Sequence, residues 1–158
     1  MNTNMRQLII ARKDLNMSPG KLAAQCCHAS IAFLSDQLRS VNPELIDDSE
    51  QFQCGDKYYL IPVAIEKDVW WNWINGVFTK TICEAKNHNQ LMKAVTLANE
   101  LGLVEGEDFF LIKDACLTEL TPEEVDENGV GRVLTCIGFR PLPDEIIQQI
   151  SKKYQLYK

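Results

Sequence analysis

Leu8-Ile9-Ile10-Ala11 is a short, uninterrupted apolar run and predicts a strand over about Gln7 to Arg12. A helix is predicted from about Pro19 to Leu38, with Ser18 as N-cap and Pro19 at the first helical position, where its missing N–H costs nothing. Thr79 to Glu84 reads as a second strand. The next helix runs from Asn89 to Leu101 with Leu91, Val95 and Ala98 on its apolar face, Asn87 or Asn89 as cap and Gly102 as stop. Phe109 to Lys113 is a third strand, as continuously apolar as a buried parallel strand, and Arg132 to Phe139 a fourth. A closing helix spans Pro143 to Lys153, with Ile146, Ile147 and Ile150 facing inward.

The segment Asn42 to Phe78 is less regular. Its apolar run Tyr58 to Ile65 contains Pro62, which favours an edge or a packed loop over a central strand. Val69, Trp70, Trp73, Ile74 and Val77 recur at helical spacing and read as core rather than as a base-stacking platform.

Strand-helix-strand-helix-strand implies crossovers around a parallel core, and the fourth strand, which follows the third without a helix, is expected antiparallel. The fold class is therefore α/β: a three-layer α/β/α single domain over residues 1–158 with a small mixed, mostly parallel four-stranded sheet. Ligands of such sheets bind beyond the carboxyl ends of the parallel strands. Asp114 and Lys21 both lie at that end and are expected to converge.

Length and composition suit one soluble domain. Met1 to Gln7 has no apolar leader segment, and no stretch approaches the ~18–20 apolar residues of a membrane span, so a cytoplasmic protein without membrane contact is expected. The six cysteines, at 26, 27, 54, 83, 116 and 136, form no CxxC pair or zinc spacing. Free thiols, no metal and no cofactor are expected.

A net charge of −6 argues against a nucleic-acid partner until its distribution is considered. Residues 1–40 carry five basic against two acidic groups, and residues 132–158 the same. The acid is concentrated in 41–70, seven against two, and in 114–131, six against none. A basic surface can survive on such a chain if its ends meet, because binding responds to local potential.

Lys21, Gln25 and His28 share one face of the first helix, beside the free N–H groups of its N-terminus. Such a stripe favours an anion, although the wet face of an ordinary helix has the same pattern. A Walker loop is a poor match, because Gly20-Lys21 is followed by Leu22 and lacks the first glycine.

The run Arg12-Lys13-Asp14-Leu15-x-Met17-x-x-Gly20-Lys21-x-Ala23-Ala24-Gln25-x-x-His28-Ala29 resembles the second, archaeal and eukaryotic class of peptidyl-tRNA hydrolase, also found in some bacteria and phages. Asn42-Pro43-Glu44, Phe78-Thr79-Lys80, Leu111-Ile112-x-Asp114-Ala115, Thr118-Glu119, Thr135-Cys136 and the final Tyr154-Gln155-Leu156-Tyr157 continue the likeness in order. The resemblance implies a homodimer and metal-free hydrolysis of the ester between peptide and tRNA. It implies a catalytic set of Lys21, Asp114, Thr118 and Thr135, with Gln25, His28, Arg12 and Lys13 at the substrate. Asp114 would orient or deprotonate a water held by Thr118 or Thr135, and Lys21 would stabilise an oxyanion or a terminal phosphate.

Four departures bear on this. Cys116 stands where the family usually has glycine, the loop Glu119 to Gly131 is longer and more acidic, residues of about 45–70 look like an insertion, and Arg140-Pro141 replaces a common Gly-Pro. The acidic loop and the insertion, with the low isoelectric point, favour an alternative, a weakly catalytic family member acting as a tRNA- or protein-binding module, while the complete Lys21, Asp114, Thr118 and Thr135 set favours the active enzyme. A small-molecule amidohydrolase has no motif of its own here.

Overall fold

The computed structural model describes residues 4–48 and 50–158. In chain order the elements are β1 (Met5–Arg12), α1 (Pro19–Arg39), α2 (Pro43–Asp48), a 3-10 turn (Glu50–Phe52), β2 (Gln53–Cys54), β3 (Tyr58–Tyr59), a π-helical segment (Val69–Val77), β4 (Lys80–Ala85), α3 (His88–Glu100), β5 (Phe109–Asp114), β6 (Glu124–Val125), β7 (Gly131–Phe139), β8 (Leu142–Pro143), α4 (Asp144–Ser151) and β9 (Gln155–Leu156).

β1 is buried along nearly its whole length because both its faces are covered. Leu8 and Ile10 pack with Leu91, Ala94 and Ala98 of α3 and Ile147 and Ile150 of α4. Ile9 and Ala11 pack with Cys26 and Ala29 of α1. Two helices on one face and one on the other make the three α/β/α layers.

The sheet corrects the expected strand count and pairing. It has seven strands rather than four, with the long path β5-β7-β1-β4-β9, and β1 with β4 is its one parallel pair among the described residues. β1, β4 and β5 do share one direction, since β7 is antiparallel to both β1 and β5. The cause is where β7 lies: it enters between β5 and β1, so two strands that point the same way never touch, and a parallel ladder becomes two antiparallel ones. The added strands β6, β8 and β9 are two residues each, too short to show a period.

α1 lies close on β7 because Gly138 has no side chain: a Cβ there would come within 2.4 Å of the Ala29 carbonyl oxygen. Gln7, fully buried, donates to the backbone oxygens of Ser30 and Phe139 and accepts from the Ser30 hydroxyl, fixing the same helix over β1. The side chain of Asn87 accepts from the Gln90 N–H and caps α3.

Among the described residues of 45–70, β2 and β3 form a separate hairpin and the rest of the apolar run is irregular. The segment docks on α1 through Gln37, whose amide bonds both the N–H and the carbonyl of Ala64. Trp73 is core, 2% exposed, with its indole N–H on the Thr79 carbonyl, whereas Trp70 and Trp71 are exposed.

Candidate active site

Lys21 lies in the first turn of α1 and Asp114 is the last residue of β5, so close packing of the helix on the sheet brings the two together. Lys21 Nζ is 2.8 Å from Asp114 Oδ1, and their side chains are only 14% and 12% exposed. Gln25, one turn further along α1, donates from Nε2 to the same oxygen at 3.0 Å. The other oxygen, Oδ2, accepts from the Cys116 N–H at 2.9 Å, the two-residues-on bond of an Asx turn. Lys21 also donates to Thr118 Oγ1 at 3.2 Å.

Behind these groups stands Thr135, fully buried in β7. Its hydroxyl is 2.7 Å from Gln25 Oε1 and 3.1 Å from the Ile112 carbonyl oxygen. Thr135 thus reaches the site through Gln25, while Thr118 is exposed at the mouth.

Burial pushes the Asp114 carboxyl up, but the Lys21 ammonium, the Cys116 N–H and the Gln25 amide more than offset this and hold it below the usual carboxylate range. Asp114 is an anion at neutral pH. Cys116 shifts the opposite way, its thiol raised by desolvation and by the Asp114 charge, so it offers no thiolate nucleophile. Burial also raises Cys26 to about 11 and Cys136 to about 12. All six cysteines are free.

The remaining sequence candidates lie around this core in different states. His28 is exposed one turn beyond Gln25. Arg12 is 2% exposed: its guanidinium grips Glu123 at 2.7 and 2.8 Å, Asp14 at 2.7 and 3.1 Å and the Leu134 carbonyl at 3.1 Å. Lys13 pairs with Glu84, donates to the Lys158 carbonyl oxygen and lies over the Tyr157 ring. Arg12 and Lys13 are therefore bound into the protein's own ion pairs.

Three features escaped the sequence reading. Glu119 clasps the start of α1, accepting from the Ser18 N–H at 2.8 Å and the Ser18 hydroxyl at 2.6 Å. Glu123 is the partner of Arg12, a pairing across 111 positions that no spacing rule reveals. The Cys116 N–H bond was legible in principle, since aspartate commonly accepts from a backbone two residues on. Cys116 adopts φ 56°, the left-handed turn expected of glycine, at a steric cost of about 1–2 kcal/mol for a side-chain-bearing residue.

Among the described residues no group of three His, Cys, Asp or Glu side chains is placed to hold a metal, and no helix is long and apolar enough to cross a membrane.

A family model described as peptidyl-tRNA hydrolase PTH2 matches residues 5–157. The chain is 29% identical over 147 residues to a peptidyl-tRNA hydrolase of Methanopyrus kandleri, covering 92% of each chain. It is 24% identical over 152 residues to one of Thermococcus onnurineus, covering 96% of each. A bovine protein named peptidyl-tRNA hydrolase 2, mitochondrial, is 27% identical over 152 residues; the match covers 96% of this chain and 64% of that longer protein.

Proposed function

The chain belongs to the PTH2 family of peptidyl-tRNA hydrolases, and from that premise we propose that it hydrolyses the ester between peptide and tRNA, with Lys21, Asp114 and Thr118 facing the reacting ester. The observation that carries the assignment of roles is the chain Lys21–Asp114–Gln25–Thr135, bonded at every link.

Counting donors and acceptors gives each group a task. A carboxylate has about four lone-pair positions, and Asp114 has three filled, leaving one on Oδ2 for a water. A carboxylate held below its usual pKa is a weak base, so Asp114 orients that water and takes its proton only as the water oxygen bonds to the ester carbon and the proton becomes strongly acidic; the same proton passes to the departing 3′ oxygen as the ester C–O bond breaks. The Lys21 ammonium has three protons, two of them on Asp114 and Thr118. The third is available to the carbonyl oxygen as it gains charge in the tetrahedral intermediate, a role strengthened by exclusion of bulk water. The Thr118 hydroxyl accepts from Lys21, so its own proton is free for the substrate oxygen. Gln25 and Thr135 are positioning residues. His28 lies on the approach to the ester.

Charge stabilisation in this scheme comes from Lys21, and the proposed reaction is metal-independent. The chain acts on peptidyl-tRNA as its substrate, and a homodimer in the cytoplasm completes the proposal. The binding-module alternative is disfavoured by the intact polar chain, which a non-catalytic protein has no need to keep.

The test is release of free tRNA from a labelled, N-blocked aminoacyl-tRNA folded beforehand and then assayed with EDTA. Activity persists in the chelator, and Lys21→Ala and Asp114→Asn each lower kcat tenfold or more while circular dichroism shows a folded protein. Full activity in either variant, or a loss in EDTA that zinc restores, contradicts the assignment.

A further inference from the structure

A groove of about 410 Å3 leads away from the site between α1 and β5, the outermost strand on that side of the sheet. His28 and Arg39 line it from the helix, Lys113 from β5 and Arg132 from β7, over a floor that includes Ile112; no carboxylate is among its lining residues. On a protein of net charge −6 the lining is basic, with Glu124 and Asp126 reaching Lys113 and Arg132 from the neighbouring hairpin. None of the catalytic side chains lines the groove, but it adjoins them along both walls: Lys113 immediately precedes Asp114 on β5, and His28 lies one turn beyond Gln25 on α1.

The four side chains are not equally available. Among the described residues, His28 and Arg39 have no ion-pair or side-chain hydrogen-bond partner. Lys113 Nζ is 2.5 Å from Glu124 Oε1, with the two side chains 43% and 47% exposed. Arg132 Nε is 2.8 Å from Asp126 Oδ2, which belongs to a carboxylate that also accepts from the Asn128 and Val130 N–H groups. Asp126 is tied into its turn, whereas Glu124 is held by one solvent-exposed pair of the kind that contributes little.

We propose that this groove seats the sugar-phosphate backbone of the tRNA acceptor end beside the ester, and that Glu124 is an exchangeable counter-ion which a phosphate displaces from Lys113. The proposal rests on the peptidyl-tRNA hydrolase reading above and gives that site its direction of approach. Phosphates favour this groove because binding there releases condensed counterions while Lys113 merely changes partner. The acidic hairpin then sets affinity through Glu124 alone, and Asp126 serves the fold.

The experiment titrates the full-length protein with deacylated tRNA over a range of salt concentrations, alongside hydrolysis of the peptidyl form. Arg39→Ala and Lys113→Ala each weaken binding several-fold and flatten the slope of log K against log salt by roughly 0.9 per lost phosphate contact. Lys93→Ala, on α3 across the sheet, leaves the slope as it was. Glu124→Gln tightens binding at low salt, and the gain vanishes when Lys113→Ala is also present, because the exchange needs both partners.

Equal tightening with and without Lys113 overturns the exchange, and unchanged slopes in Arg39→Ala and Lys113→Ala overturn the groove. Losses that grow with peptide length at a flat salt slope assign the groove to the peptide instead. Displacement of tRNA by low millimolar inorganic phosphate at matched ionic strength marks a free-phosphate site and likewise overturns it. A wild type that hydrolyses peptidyl-tRNA but shows no groove effect leaves the hydrolase reading standing. One that neither binds nor cleaves tRNA removes both.

Discussion

Gln25 can lie only one way round. Its neighbour Asp114 is an anion with no proton to donate, so the amide nitrogen must face it and the amide oxygen must face Thr135. Replacing Thr135 by valine keeps the shape but strands a buried amide oxygen, at about 1–3 kcal/mol, and frees Gln25 to turn away from Asp114. Thr135→Val is therefore expected to lower both the melting temperature and kcat with little change in KM, while Thr135→Ser recovers both. A Thr135→Val enzyme with unaltered kcat would show that Gln25 needs no such support. Cys116 is the opposite case: it gives its backbone N–H to Asp114 and then carries the chain through a left-handed φ that its own side chain disfavours, so the turn keeps the shape of a glycine turn without the glycine.

At the scale of elements, the site depends on how deeply α1 settles on the sheet. Lys21 and Gln25 come from the helix and Asp114 and Thr135 from strands, so any lift of the helix lengthens every bond between them. Gly138 is the contact that permits the approach, since a methyl group there would meet Ala29 backbone rather than a yielding side chain. Gly138→Ala is expected to destabilise the protein by about 2–3 kcal/mol and to reduce kcat although position 138 touches no substrate. Calorimetry and turnover should fall together; a variant that melts normally would mean the helix has room to shift. The 116–131 loop is held to the same frame by Glu123 on Arg12 and Glu119 on Ser18. Neutralising all its acids at once would loosen the loop as well as change its charge, so Glu124, exposed on its single pair, is the position that reports on charge alone.

Across the whole molecule, several carboxylates are held below their usual range by what they bond. Asp114 is lowered despite its burial, by Lys21, Cys116 and Gln25; Glu119 by Ser18; Glu123 by Arg12; and Asp126 by the Val130 N–H and Arg132. A carboxyl whose folded pKa lies below its unfolded value adds stability that is fully present above the unfolded value, about 3.9–4.3, and is lost as pH falls through the folded one. Stability is thus expected to stay level with respect to these groups from neutrality down to about pH 5 and to fall below about pH 4. The check is a series of thermal melts against pH. An Asp114→Asn variant should lose less than the parent on acidification, having one such group fewer, and an equal loss would show that Asp114 is not among the groups that titrate.

The sequence alone determined the local structure and the chemical vocabulary. Ser18 before Pro19, Asn87 before α3, the doubly buried run of β1 and the Lys21, Gln25 and His28 stripe are set by residues a few positions apart, where propensity, capping and periodicity act. Even the shared direction of β1, β4 and β5 follows from the helices between them. Only the tertiary structure decided which strand lies beside which, because the insertion of β7 between β5 and β1 is settled by how both faces of the sheet are covered, not by any period in β7 itself. It also decided that Arg12 serves Glu123 inside the protein, that Thr135 acts through Gln25, and that Arg39, Lys113 and Arg132 meet in one groove. Partners so far apart in the chain are chosen by packing and by the need to satisfy every buried charge, and those conditions exist only once the chain has folded.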